Sequence, residues 1–279
     1  MVNPSNPLAK HFRQPAIYLK LPSQGKYYPP NGIELSISGD IPVYPMTVKD
    51  ELTLKTPDAL MSGAGMVEVL KSCCPSIKDP LSIPTVDLDA IFIALRLASY
   101  GEGMDITTTC PHCKSENEFT VNLSNLLENL NPASYNDSLT VDGLVVKFKP
   151  QSYKDINKIN LATFEQQKLI SNIVSADIAD EDKKRLFDES FKKITDLNVS
   201  VIIDSIDNIF VDGTIVNDTD MIKEFLDNCS RQTYQAIKDK IQSLAEKNAV
   251  PPIDLTCDNE ECSKSYKAPL EFDNSNFFA

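Results

Sequence analysis

Cys110-Pro111-His112-Cys113 is entered through Ile106-Thr107-Thr108-Thr109 and left through Glu118-Phe119-Thr120-Val121-Asn122-Leu123. A second cysteine pair closes Cys257-Asp258-Asn259-Glu260-Glu261-Cys262, entered through residues 253–256 and left through residues 266–272. The flanks carry the apolar alternation of half-buried strands. Each half therefore reads strand, cysteine turn, strand, which is the layout of a zinc ribbon. Zinc takes four thiolates in a tetrahedron at about 2.3 Å, and a short-spaced cysteine pair on a tight turn supplies two corners. Cys110, Cys113, Cys257 and Cys262 are the expected ligands of one structural zinc ion.

The spacing between the pairs sets the domain organisation. Residues 114–256, 143 residues in all, lie between Cys113 and Cys257. Closing a loop of that size costs on the order of 5 kcal/mol of chain entropy. A structural zinc site supplies on the order of 10 kcal/mol or more. Metal can therefore pin a C-terminal strand pair to the N-terminal half while the intervening chain folds as an inserted domain. Four thiolates leave a local charge of −2, and Lys114 and Lys264, each just past a second ligand, are placed to offset it.

Other uses of the cysteines fit less well. Cys-Pro-His-Cys also suits a cytoplasmic thiol–disulfide oxidoreductase, in which the first thiol is activated at a helix N-terminus. Here polar residues and then an alternating strand follow the motif, and that chemistry leaves Cys257 and Cys262 without a role. His112 is a poor substitute ligand because it adjoins Cys113. Cys73, Cys74 and Cys229 read as small buried hydrophobes. No secretion-signal pattern opens the chain, and seven cysteines without one point to a reducing compartment.

Composition narrows the function. Of 279 residues, 42% are hydrophobic, enough for a sizeable core. The 40 Asp plus Glu outnumber 27 Lys plus Arg, for a net charge of −13, and no basic stretch interleaves with aromatics. Such a surface repels phosphate backbones, so no nucleic acid is expected as a partner. The longest apolar run, near residues 91–98, is broken by Arg96 and is too short for a membrane anchor.

Along the chain, residues 1–32 read as an extended, proline-bearing arm. Residues 33–105 form an N-terminal α+β domain, with an alternating strand over 33–38 and a second near 41–44. Thr47 caps a short helix with Asp50 three residues on. Thr56-Pro57-Asp58 opens a helix to about Lys71 that encloses Gly63 and Gly65, and residues 87–100 form an apolar helix stopped by Gly101. Residues 106–123 with 253–273 make the ribbon. Residues 124–250 make the helix-rich insert, in which Asp142-Gly143 and Asp212-Gly213 mark two hairpins. Those hairpins bracket helices over about 152–175 and 181–208, and two more follow over about 219–228 and 230–248. The fold class is α+β, helix-rich.

No active site is expected. The two histidines, His11 and His112, lie in the arm and in the zinc turn, so a His-based triad has no usable base. Phosphate-loop and dinucleotide fingerprints are absent. Residues 207–213 lack the alternating oxygen ligands of a calcium loop. The arm instead carries Tyr18, Lys20, Tyr27 and Tyr28, a candidate docking segment, since tyrosine is enriched at interface cores and prolines lower the entropy of ordering.

Several stretches resemble the baseplate hub proteins of T-even-type contractile-tailed phages. They are Tyr18-Leu19-Lys20-Leu21-Pro22-Ser23 with Gly25, and Glu51 with Leu54-Lys55-Thr56-Pro57-Asp58-Ala59-Leu60 and Gly63. Further matches are Cys74, Asp79-Pro80, Asp87, Arg96, Ser99-Tyr100-Gly101 and Cys110-Pro111-His112-Cys113. The resemblance spans about the first 115 residues. It implies a non-enzymatic virion or assembly component of the tail baseplate, put together in the bacterial host cytoplasm, within a hetero-oligomer of other baseplate, hub or tail-tube proteins. A transient assembly chaperone for the hub is the neighbouring reading.

Overall fold

The computed structural model describes residues 6–55, 63–175 and 180–270. Two compact units divide the chain. One comprises Met1–Pro80, Asp87–Pro132 and Ala249–Ala279, the other Leu81–Val86 and Ala133–Asn248. Eight α-helices and four small antiparallel sheets are found among the described residues, an α+β fold.

In the first unit, β1 (Ile17–Lys20) pairs antiparallel with β2 (Asp40–Val43), with Leu19 opposite Ile41. Leu19, Ile41 and Val43 are buried, whereas Tyr18 and Lys20 point outward, as the period of two requires. Part of the arm is thus a strand of its own unit. Helix α1 (Val48–Leu54) starts in a capping box, with Thr47 and Asp50 satisfying each other's backbone N–H groups. Helix α2 (Ala64–Cys73) is capped by Gly63 at φ 69°, so Gly63 is the residue before the helix and not one inside it. The expected start at Thr56-Pro57-Asp58 lies outside the described residues. Helix α3 (Thr85–Tyr100) buries Ile91, Ile93, Ala94 and Leu95 completely. It stops at Gly101, φ 91°, a conformation that favours glycine, and the short helix α4 (Leu123–Glu128) follows in the same unit.

The alternating strand expected over 33–38 does not form. Ile33 makes a single antiparallel bridge to Ile77, and Ile37 is fully exposed. The Ser36 hydroxyl instead bonds Ser38 and Asp40, and the Gly39 N–H donates to the Ser36 carbonyl. These side chains offer the backbone a turn in place of a ladder.

In the second unit, β5 (Ser138–Val141), β6 (Leu144–Phe148), β7 (Ile206–Val211) and β8 (Thr214–Val216) form one sheet in chain order. Asp142 and Gly143 have φ 50° and 78°, and Asp212 and Gly213 have φ 47° and 82°. Positive φ at both central residues is the two-residue hairpin turn whose twist matches its strands. The β6–β7 pairing joins the hairpins, with a register shift at Lys147/Phe148. Between those two strands run α5 (Tyr153–Ser175) and α6 (Asp180–Ser205). The second of these ends earlier than the sequence suggests, because residues 206–209 enter β7 and bury Ile206 and Ile209. Helices α7 (Thr219–Asn228) and α8 (Arg231–Asn248) complete a core of Val146, Phe148, Ile202, Ile206, Ile237 and Leu244 with their neighbours.

Candidate metal centre

Two hairpins build the cysteine site, both within the first unit. Strands β3 (Gly103–Thr109) and β4 (Glu116–Asn122) pair in register from Gly103↔Asn122 to Thr109↔Glu116. At their turn the Cys110 N–H donates to the Ser115 carbonyl, and the Lys114 N–H donates back to the Cys110 carbonyl. Lys114 holds φ 66° to close this loop. Strands β9 (Ile253–Thr256) and β10 (Ser265–Ala268) repeat the plan. There the Cys257 N–H donates to the Lys264 carbonyl, the Cys262 N–H donates to the Asn259 carbonyl, and Ser263 sits at φ 45°. Cys110 and Cys113 thus lie on a strand-to-strand turn rather than at a helix N-terminus.

The four Sγ atoms lie within 4.8 Å of one another. Cys113 Sγ is 3.5 Å from Cys257 Sγ, and Cys110 Sγ is 4.0 Å from Cys262 Sγ. A tetrahedron with Zn–S bonds of about 2.3 Å has edges of about 3.8 Å, so the cluster has the size of a four-thiolate zinc site. Cys110 and Cys257 are buried, Cys262 is half-buried and Cys113 is open to solvent.

Residues beyond the cysteines clasp the two turns together. The Asn117 side-chain oxygen accepts the Asp258 N–H at 2.8 Å and lies 3.5 Å from Cys257 Sγ. Ser115 Oγ accepts from the Asn259 side-chain amide at 3.1 Å and lies 3.3 Å from Cys113 Sγ. Thr108 Oγ1 and the Tyr266 hydroxyl are hydrogen-bonded at 2.6 Å. Leu255, Tyr266 and Ala268 form a small apolar cluster with Cys110 and Cys257, packed by Ile106, Phe119 and Ile253. Sequence reading missed Ser115, Asn117 and Asn259. Ser115 and Asn259 are small polar residues at the turns, each two residues after a ligand, Cys113 and Cys257 respectively, whereas Asn117 lies in β4 and carries no such mark.

The thiols differ in acidity. Hydrogen bonding by the Ser115 side chain and backbone pulls Cys113 down to about 6. Burial pushes Cys257 up to about 12. Outside the site, burial raises Cys73 to about 11 and raises Cys74 further, which keeps both as neutral, unreactive thiols.

Of the candidate docking residues, Tyr18 is 65% exposed, and Lys20 and Tyr27 are also exposed. Tyr28 is half-buried, with its hydroxyl against Asp87 of the same unit. Burial and then the Asp87 charge push its pKa strongly upward, so the phenol stays protonated. No helix among the described residues is long and apolar enough to cross a membrane.

An α+β chain whose distant hairpins converge on four thiols is a protein organised around a candidate metal knot. The chain belongs to the family described as T4 bacteriophage base plate protein, whose model matches residues 15–279. That match covers nearly the whole chain, including the part beyond about residue 115 that the stretches quoted above do not reach. No curated protein and no solved structure matches the chain.

Proposed function

We propose that this chain is a structural, hub-associated subunit of a contractile phage tail baseplate, held in shape by one structural zinc ion and working by binding other baseplate proteins. The observation that carries the reading is the family match over residues 15–279 combined with four thiols converging from two distant parts of it. Zinc bound by Cys110, Cys113, Cys257 and Cys262 fills all four positions of its tetrahedron with protein ligands, leaving none for substrate. Its work is to fix the C-terminal hairpin against the N-terminal one, so that the helix-rich segment 124–250 is carried as an insert between two fixed ends. Lys114 and Lys264, both exposed, balance the excess negative charge. The arm, residues 1–32, presents Tyr18, Lys20 and Tyr27 to a neighbouring subunit. Tyr28, the fourth docking residue, is half-buried and the least accessible of them.

Quantitative mass spectrometry of purified particles, set beside that of tail precursors, tests the assignment. A structural subunit is found in both at comparable stoichiometry. A chain present in precursors and lost from finished particles is an assembly chaperone, and that outcome would reject the structural reading.

A further inference from the structure

One face of α6 carries charge arranged about a centre of symmetry. Glu181, Lys184, Arg185, Asp188, Glu189 and Lys192 together line a shallow depression along the helix, and all six are exposed. Their spacings of three, four, seven, eight and eleven residues from Glu181 define a single stripe. The fully buried Ser190 lies about half a turn round the helix from it. The stripe is therefore the outward face of α6.

The order of signs along it is acid, base, base, acid, acid, base. About the midpoint between Leu186 and Phe187, every residue has a counterpart of opposite charge. Arg185 mirrors Asp188, Lys184 mirrors Glu189, and Glu181 mirrors Lys192. Reversing the stripe thus reproduces it with all signs inverted. A copy laid antiparallel on this face, about a two-fold axis through the midpoint, meets an opposite charge at all six positions.

The surroundings favour the same contact. Residues 151–200 carry eight Lys or Arg against nine Asp or Glu, while the rest of the chain carries 19 against 31. With a Debye length of about 8 Å at physiological salt, copies meeting along α6 feel mainly this balanced segment. Approach through the acidic remainder is repulsive. Exposed ion pairs individually contribute little, so apolar area is also needed. Phe191 is 59% exposed and its ring stacks on Phe187 at 6.5 Å. Phe187 adjoins the midpoint, so in the antiparallel arrangement both rings of each copy fall on the same side of the pair.

We propose that α6 is a self-association surface through which two copies of this chain pair antiparallel into a two-fold symmetric dimer. The same charges also pair along a single helix, as Arg185 does with Asp182 at 3.2 Å. Such internal pairing involves no second molecule, and the experiment turns on that difference.

The full chain is studied by sedimentation equilibrium as wild type, as Lys184→Glu with Arg185→Glu, and as Asp188→Lys with Glu189→Lys. The wild type is expected to dimerise. Each variant alone faces like charges across the axis and is expected to stay monomeric. An equimolar mixture of the two restores every opposite-sign meeting and is expected to dimerise as the wild type does. Circular dichroism checks that the helices persist. Should a double variant lose them, Arg185→Asp mixed with Asp188→Arg makes the same comparison with one pair. A monomeric wild type at every concentration overturns the proposal, as do variants that dimerise unmixed or a mixture that fails to recover.

Discussion

The Asn117 side-chain oxygen accepts the backbone N–H of Asp258 at 2.8 Å across 141 residues of sequence. Asn117 is only 4% exposed, so its amide has no water to fall back on. Replacing it leaves the Asp258 N–H short of a partner and loosens one turn from the other. A buried polar group left unsatisfied costs about 1–3 kcal/mol. Asn117→Ala is expected to lower the unfolding free energy by that amount, read as a lower denaturant midpoint with an unchanged slope, and to speed zinc release to a chromogenic chelator. Ser115→Ala, at a half-buried position, is expected to do the same more weakly. A variant with wild-type stability and wild-type release kinetics would show the clasp to be incidental.

Metal content is the most direct check on the centre. The purified chain is expected to hold one zinc ion by elemental analysis, and Cys110→Ser or Cys257→Ser to hold far less. Cys73 and Cys74 are buried and Cys229 is half-buried, so once the four ligand thiols are bound to metal, thiol reagents should titrate slowly. Chelation should expose four further thiols and cost several kcal/mol of stability, since structural zinc supplies on the order of 10 kcal/mol. A metal-free native protein with one fast-reacting thiol would instead favour the oxidoreductase chemistry of Cys110 and Cys113.

The arm has its own anchor. The Arg13 guanidinium reaches the Asp50 carboxylate at 3.3 Å and donates to the Ser72 carbonyl at 2.8 Å and hydroxyl at 2.6 Å. It also bonds the Pro45 carbonyl and stacks over Tyr44. Asp50 meanwhile caps α1 through Thr47. Arg13→Ala removes several donors at once from a partly buried carboxylate and is expected to cost about 2–3 kcal/mol. Lys in its place supplies a point charge without the planar fork, so Arg13→Lys should recover less than half of the loss. Thermal and denaturant unfolding of the three proteins decides it, and full rescue by Lys would show that charge alone matters.

How much of this was readable in the sequence follows from how local each signal is. Asp142-Gly143 and Asp212-Gly213 announce their turns because the required positive φ is a property of those residues themselves. The Thr47 cap and the Gly101 stop are equally local. The cysteine pairs could be matched across 143 residues because a structural zinc site takes four protein ligands, and two short-spaced cysteine pairs supply them at whatever distance in sequence. The Asn117 clasp had no such signal, since its partners Asp258 and Cys257 lie at the turn of the other hairpin. The strand expected over 33–38 failed for the opposite reason. Its alternation was real, but Ser36 and Asp40 close a turn that outcompetes pairing. Joining both hairpins into one sheet through β6 and β7 is a tertiary choice that neither turn encodes.

Protons should also register the buried end of α3. Asp87 is fully buried and accepts the Ser23 N–H at 2.7 Å and hydroxyl at 2.5 Å. Burial nonetheless pushes its carboxyl up to about 6, and burial raises Asp89 to about 6 as well. In the unfolded chain both release their protons near the ordinary carboxylate value of about 3.9. Between these limits the folded state binds more protons than the unfolded one, so stability falls as pH rises from about 4 to about 6 and levels off above. Each group contributes up to about 3 kcal/mol to that decline. Asp87→Asn keeps a neutral partner for Ser23 and is expected to flatten the curve of unfolding free energy against pH by one group's share, and Asp89→Asn by the other's. Should Asp87→Asn leave the slope between pH 4 and 6 as steep as in the wild type, the buried carboxylate is not the group that sets it.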